Sequence, residues 1–242
     1  MHSAKLEKTC IPNQDLKISI QTIGREQNPL IIIDNFFAAP ENLIALAKSD
    51  APFVGQTTDY YPGLRKIAPE AYAEQSLEIL APLIRNAFNL SKENTARTSL
   101  CVFSLATTPT HKLRPIQCVP HIDTHDPYQF AMVHYLCSEH YGGTSFYRHR
   151  TTGHETITDI RLEEYFRILK HEVMTGGLPQ LEYINGNTSL FERIAKIEVK
   201  FNRAIIYRSN ALHAGDISDV LGLSTNPEEG RLTLNTFINF SN

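Results

Sequence analysis

The chain has no apolar run approaching the ~18 residues that a membrane-spanning helix requires. It also has no CxxC pair, no basic stripe and no acidic tail. Each absence weakens a class of protein. The missing apolar run argues against a helical membrane protein. The missing cysteine spacing argues against a zinc ribbon or a disulfide framework. Cys10, Cys101, Cys118 and Cys137 stand far apart, as free thiols do in a reducing cytosol. Lys and Arg number 23 against 26 Asp and Glu, a net charge of −3, so no electrostatic footprint for nucleic acid is present. The opening stretch MHSAKLEKTC is polar and lacks the apolar centre of a secretion leader, so a cytoplasmic location is expected. Tryptophan is absent too, and that excludes nothing. Repeats and low-complexity segments are missing. What remains is 242 residues, 42% hydrophobic and 20% charged, enough to bury the core of a single domain, 1–242.

Residues 1–97 read as strands and support helices. LKISIQTIG (16–24) alternates like a half-buried strand, and PLIIIDNF (29–36) is a short β-branched run. AAPENLIALAKSD (38–50) reads as a helix with Pro40 near its start. PEAYAEQSLEILAPLIRNAFNL (69–90) is a longer helix, apolar at Leu77, Leu80, Ile84 and Phe88, with a kink expected at Pro82.

From Thr98 the character turns to strands: 98–108, 114–123, 129–137, 143–150, 199–209 and 231–240. An amphipathic helix, DIRLEEYFRILKHEVM (159–174), and a short helix at 189–197 interrupt them. Its charges read as a solvated face. The expected class is α+β with a mainly β core, an antiparallel barrel or sandwich over 98–240 carrying an insert at 151–198.

The stretch VPHIDTHDP (119–127) concentrates two histidines and two aspartates. On a strand, His121 and Asp123 point to the same face and converge on one ion. Imidazole with carboxylate suits a borderline first-row metal better than calcium or magnesium. A third ligand is needed, and His213, at the end of the β run RAIIYRSNALHAGD, sits best. Two histidines and one carboxylate form a facial triad with open positions for a chelating cosubstrate and dioxygen. A chelating 2-oxo acid has a second carboxylate, which a guanidinium takes bidentately. Arg231 opens the last strand, and Thr233 and Asn235 share its face.

In the order HID (121–123), VHYL (133–136), GGTSFY (142–147), YRSNALHAG (207–215) and RLTLNTF (231–237), the chain resembles the Fe(II)/2-oxoglutarate-dependent dioxygenases, the prolyl-hydroxylase-like branch in particular. The resemblance runs from about Thr98 to Phe240, with a looser likeness in IIIDNFFAAPENLIALA to the family's entry strand and support helix. It implies a double-stranded β-helix, or jelly roll, with N-terminal support helices. It implies Fe(II) on His121, Asp123 and His213, 2-oxoglutarate as cosubstrate with its far carboxylate on Arg231, and dioxygen as oxidant. Tyr135 looks like the tyrosine that helps hold that carboxylate, and Thr233 and Asn235 are further candidates. Hydroxylation is the implied outcome. Halogenation, which would need a small residue in place of the carboxylate ligand, is set aside because Asp123 is present. Two spacings depart from the family: the stretch from Arg150 to Lys200 is long, and so is the loop between His213 and Arg231.

The substrate side is read more thinly. DYYPGLR (59–65) is a loop that offers Tyr60, Tyr61 and Arg65 as contacts. His125 shares the parity of the ligands and is a fourth-ligand or substrate candidate, although THDP is also a turn signal. His134 is expected to be structural or exposed. His140, His149 and His154 lie close enough to raise a second metal site. The expected partner is a small-molecule, amino-acid or peptidyl substrate, with no nucleic acid and no membrane, in a chain whose oligomeric state is not legible. Two other readings stay open: a cupin-like metalloenzyme that does not use 2-oxoglutarate, and a non-catalytic jelly-roll binding module.

Overall fold

The computed structural model describes residues 11–49, 51–55, 60–218 and 223–241. The polar leader stretch 1–10 with Cys10, Asp59 of the aromatic loop, and 219–222 of the loop after His213 lie outside the described residues. Thirteen elements follow in order: β1 (Lys17–Ile23), β2 (Asn28–Asp34), α1 (Pro40–Ala47), β3 (Gly63–Ile67), α2 (Glu70–Ala87), β4 (Thr95–Ala106), β5 (Gln129–Tyr135), β6 (Thr144–His149), α3 (Asp159–Gly176), β7 (Phe191–Ile197), β8 (Arg203–Arg208), β9 (His213–Gly215) and β10 (Arg231–Ser241).

Two sheets, antiparallel throughout, organise the chain. The larger runs β1-β2-β8-β5-β10-β4-β3 and the smaller β7-β6-β9. His121 bridges His213 and so extends the smaller sheet beyond β9. From β4 onward the path alternates: larger sheet, His121 segment, β5, β6. After the β6–β7 pairing it resumes with β8, β9 and β10. This winding between two facing sheets is a double-stranded β-helix, or jelly roll.

Alternation along the strands sets the two layers of core. Phe103 and Leu105 of β4, Phe130 and Met132 of β5, Ala204 and Ile206 of β8, and Leu232 and Leu234 of β10 point outward into one cluster with α1 and α2. Ala131 and Tyr135 of β5, Ile205 and Tyr207 of β8, and Phe146 of β6 point inward, between the sheets. The inner face of β10, which carries Arg231, Thr233 and Asn235, therefore opens toward the space between the sheets.

The helices brace the outer face. Pro40 starts α1, where its missing N–H has no partner to lose. The other end of α1 is closed by Lys66 of β3, whose buried Nζ donates to the carbonyls of Leu46, Ala47 and Ser49 at 3.1, 2.9 and 3.0 Å. α2 buries Tyr72, Leu80 and Ile84 and continues as one helix past Pro82. Beneath the sheet His134 is fully buried, as a structural reading requires. Its Nε2 lies 3.1 Å from Asn202 Oδ1, an acceptor only, so Nε2 carries the proton and Nδ1 accepts from the Tyr72 hydroxyl at 3.0 Å.

Several sequence expectations are corrected. Residues 114–123 are not a strand; they hold a 3-10 turn (Pro115–Cys118) and the single bridge at His121. Residues 191–197 are the core strand β7 and not a helix. The cause is a bulge: between Phe146 and Tyr147 the register on β7 jumps from Ala195 to Arg193. That shifts the side-chain parity and leaves an apolar spacing that mimics a helix. Gly63, Leu64 and Arg65 lie in β3 and not in a loop. β1 is an exposed edge strand, buried only at Ile23.

Candidate active site

Backbone hydrogen bonds bring the metal-ligand candidates together. His121 N donates to His213 O at 2.9 Å, and His213 N returns to His121 O at 3.0 Å. Asp123 N donates to Ser209 O at 2.9 Å, which fixes the loop two residues on. One ligand atom from each of His121, Asp123 and His213 lies within 4.8 Å of the others, the only such group among the described residues. The two imidazoles approach opposite oxygens of the carboxylate: His121 Nε2 is 3.8 Å from Oδ1, and His213 Nε2 is 3.6 Å from Oδ2.

The chemistry of these donors fits a divalent first-row metal. His213 Nδ1 lies 2.9 Å from the Ala211 carbonyl, an acceptor, so the proton sits on Nδ1 and the Nε2 lone pair faces Asp123. Burial pushes the His213 pKa down to about 4. His121, whose side chain is about half exposed, is also lowered to about 4 by desolvation within the cavity, with His213 and Arg65 adding to the effect and Asp123 opposing it. Both rings are therefore neutral near pH 7, as ligation requires. Burial raises the Asp123 pKa against the opposing fields of His121 and Arg65. A cation between the three groups supplies the countercharge that this carboxylate calls for.

Arg231 is buried beside the same space. Its Nη2 donates to Gly143 O at 2.8 Å and its Nε to Gly142 O at 3.3 Å. A guanidinium has five N–H donors, and no other acceptor for Arg231 is found among the described residues. Glycine is required at this contact for reasons of space: a Cβ on Gly143 would lie 1.8 Å from Ile197 O, and one on Gly142, at φ +74°, 1.6 Å from Asp216 O. The Gly-Gly pair thus lets β6 close onto β7 and β9 while its carbonyls anchor the arginine.

A cavity of about 660 Å³ contains the triad, Arg231, Thr233 and Asn235. Asn235 Oδ1 is buried with no partner among the described residues. Tyr135 is fully buried, but its hydroxyl turns to Thr144 Oγ1 at 2.7 Å and its ring lies 6.0 Å from the Arg231 guanidinium. Burial holds its pKa up at about 12. The cavity surface is formed by Thr144, and Tyr135 stands behind it.

The aromatic loop divides. Tyr60 is two-thirds exposed at the cavity mouth. Tyr61 lies deeper, beside Thr233 and within the field of Arg231, with its pKa raised by burial. Sequence reasoning put it on the substrate side; the structure sets it against the strand of Arg231. Arg65 lines the cavity, stacks on the Tyr61 ring at 4.7 Å, and its charge is felt at both His121 and Asp123.

His125 is neither in the metal group nor among the lining residues. It is half exposed and lies 3.1 Å from Asp159 at the start of α3. Its parity with the ligands fails because that stretch is not a strand. No second metal site forms among the described histidines. His149 lies against Thr152 at 3.0 Å and Glu172 at 2.8 Å, which ties β6 to α3.

The length of the insert suggests a partly covered cleft, but the sequence reading named none of its residues as lining the site. Tyr165, Phe166 and Leu169 of α3, with Tyr183 and Ile184 after it, line the cavity opposite β3. The Tyr183 hydroxyl donates to Thr108 O at 2.6 Å and fastens this roof to the end of β4. The signal was present in the apolar residues at 165, 166 and 169, but the charges around them read as a solvated face.

No helix among the described residues is long and apolar enough to cross a membrane. Solved structures that resemble the chain include HygX from Streptomyces hygroscopicus with nickel, 2-oxoglutarate and hygromycin B bound, at 14% identity over 89% of this chain and 87% of that one, TM-score 0.47. Others are AviO1 from Streptomyces viridochromogenes Tue57, at 14% over 100% and 95%, TM-score 0.43, and EctD from S. alaskensis with 2-oxoglutarate and 5-hydroxyectoine, at 17% over 94% and 84%, TM-score 0.43. With TM-scores this low, the chemistry rests on the residues described above. No curated protein matches the chain in sequence. A family model matches residues 14–238, nearly the whole length, and the chain belongs to that family, DUF6445, a family of unknown function.

Proposed function

We propose that this protein is an Fe(II)- and 2-oxoglutarate-dependent oxygenase that hydroxylates a small molecule held in the cavity. One observation carries the reading. His121, Asp123 and His213 present their donors to the same cavity in which Arg231 keeps N–H groups without an acceptor among the described residues. A metal triad alone suits many chemistries. A triad facing a buried guanidinium suits a chelating diacid.

Iron held by His121, Asp123 and His213 would supply the redox chemistry: dioxygen would take two electrons from 2-oxoglutarate, leaving succinate with one oxygen atom and carbon dioxide, and two from the substrate C–H bond that receives the other atom. The chain's own residues do the rest. His121, Asp123 and His213 hold the metal from one face and leave the cavity face open. Arg231 binds the distal carboxylate, flanked by the hydroxyls of Thr233 and Tyr61. Tyr135 keeps Thr144 in place behind that pocket. Asn235 offers its amide to the cosubstrate from the same wall. The roof from α3 limits water around the reacting carbon and confines the substrate. A cavity closed on this scale favours a small molecule, a free amino acid included, over a peptidyl segment.

The test is an anaerobic titration of 2-oxoglutarate into the Fe(II)-loaded protein, followed by visible absorption. A weak charge-transfer band is expected, and it should be lost in Arg231→Gln at cosubstrate concentrations that saturate the parent. Absence of the band in the parent would favour a metalloenzyme that uses the triad without 2-oxoglutarate. Absence of metal binding altogether would favour a binding module.

A further inference from the structure

Tyr207 of β8 points between the sheets and lines the cavity of the triad and Arg231. Only 3% of it is exposed. Its ring is held on two sides, against Phe146 at 5.0 Å between centroids and against the imidazole of His213 at 4.8 Å. Its hydroxyl has no hydrogen-bond partner among the described residues. Other phenols that line or back this cavity are partnered: Tyr135 meets Thr144 Oγ1 at 2.7 Å, and Tyr183 donates to Thr108 O at 2.6 Å. A buried phenol ordinarily finds an acceptor, and one left without it costs stability. Tyr207 therefore keeps an O–H for a ligand.

The register of the larger sheet shows where that ligand lies. Tyr207 pairs with Ala131 of β5, and Ala131 pairs with Phe237 of β10. All three line the cavity. With strands ~4.8 Å apart, the methyl of Ala131 leaves a trough between two aromatic side chains. From Phe237 the same face of β10 continues through Asn235 and Thr233 to Arg231. The phenol also lies within the fields of both Asp123 and Arg231. It thus stands between the metal end and the guanidinium end of the cavity. A 2-oxo acid with its far carboxylate on Arg231 brings its 1-carboxylate to the triad. That anion is the acceptor that the Tyr207 hydroxyl lacks.

We propose that the Tyr207 hydroxyl donates to the metal-chelating carboxylate of the 2-oxo acid and fixes its orientation on the metal. The contacts with Phe146 and His213 hold the phenol ready, so little freedom is lost when the bond forms. The proposal rests on the oxygenase reading, because it needs a 2-oxo acid in the cavity.

The experiment compares the parent with Tyr207→Phe, which keeps the ring and removes only an unpartnered hydroxyl. Calorimetry on the full chain, saturated with redox-inert Zn(II), follows two probes. One is 2-oxoglutarate; the other is 2-oxopentanoate, which has a methyl in place of the distal carboxylate. Tyr207→Phe is expected to weaken both by a similar factor, about tenfold or more, with metal affinity unchanged. Arg231→Gln should weaken 2-oxoglutarate alone. In the anaerobic Fe(II) protein the charge-transfer band of bound 2-oxoglutarate should move to shorter wavelength in Tyr207→Phe, because a hydrogen bond to the ligand lowers the orbital that receives the charge. Unchanged affinity or an unmoved band overturns the proposal, since the phenol then only packs against His213. Weakening of 2-oxoglutarate alone overturns it as well, because the hydroxyl then serves the distal carboxylate. Lost metal affinity does the same, because Tyr207 then acts through His213. The band decides by itself if 2-oxopentanoate binds too weakly to measure. A parent that binds metal but not 2-oxoglutarate sinks the oxygenase reading itself, whereas a parent that binds it and a variant indifferent to the change sink this proposal alone.

Discussion

An imidazole taken out of water resists protonation, and at the buried His213 and the cavity-lining His121 that resistance would leave two lone pairs ready for a metal. Asp123 sits between them as the charged partner that ligation rewards. Asp123→Ala should therefore abolish stoichiometric iron binding, measured by metal analysis after desalting; retained iron would show that the ligands lie elsewhere. Arg231→Gln removes a charge-assisted pair worth roughly 1.5–3 kcal/mol. It should weaken 2-oxoglutarate binding by about one to two orders of magnitude while metal affinity holds, as calorimetry would show. The meeting of these residues in one cavity was legible because their signals are local in sequence: a His-x-Asp step, a histidine at a strand end, an arginine opening a strand. The placement of Tyr61 beside Thr233 was not legible. It depends on β3 lying beside β4 and β4 beside β10, and no spacing in the chain encodes that. His125 lies away from the cavity lining for a related reason, since its parity with His121 and Asp123 held meaning only on a strand.

α3 contributes to the site through its attachment to β6. The fully buried His149 meets Glu172 at 2.8 Å, and Thr151 reaches the same carboxylate. Arg161 bonds Glu26 at 2.6 Å in the turn between β1 and β2. Glu172→Ala leaves a buried imidazole nitrogen without its partner, at a cost of about 1–3 kcal/mol. Hydrogen exchange should quicken across 159–176 and stay unchanged in β5, β8 and β10. Uniform protection would mean that α3 is held by apolar contacts alone. The close approach at Gly143 makes a sharper prediction. Gly143→Ala drives a methyl into Ile197 O and should destabilise the protein by at least ~2 kcal/mol, read by urea unfolding. Strands with unbroken β-forming runs, such as β5 and β10, could be read from sequence. β7 could not, because its bulge against β6 breaks the alternation that identifies a strand.

The burial of two imidazoles is felt by the whole molecule. His134 and His213 are each held down to about 4 from an ordinary value of 6.5. Between those values the unfolded chain binds protons that the folded chain refuses. Stability of the metal-free protein is therefore full above pH 6.5, falls as pH drops through the window, and reaches its floor below about 4. For the fully buried His134 alone the full shift corresponds to about 3 kcal/mol. Urea midpoints at pH 7, 5.5 and 4.5 should descend in that order, and a flat profile would contradict the buried neutral rings. At this scale the sequence revealed most elements in order, β3 and β7 aside, but not their placement: the larger sheet joins β1 and β2 to β8, far along the chain, through contacts with no local signature.

The central claim, that one cavity holds a metal on the triad and a diacid on Arg231, is tested most directly by a crystal structure with Mn(II) and 2-oxoglutarate, using anomalous scattering to place the metal. The account predicts one manganese bonded to His121 Nε2, Asp123 and His213 Nε2, with the distal carboxylate of 2-oxoglutarate on the Arg231 guanidinium. Metal bound away from these three side chains, or a distal carboxylate on Arg65, would contradict it.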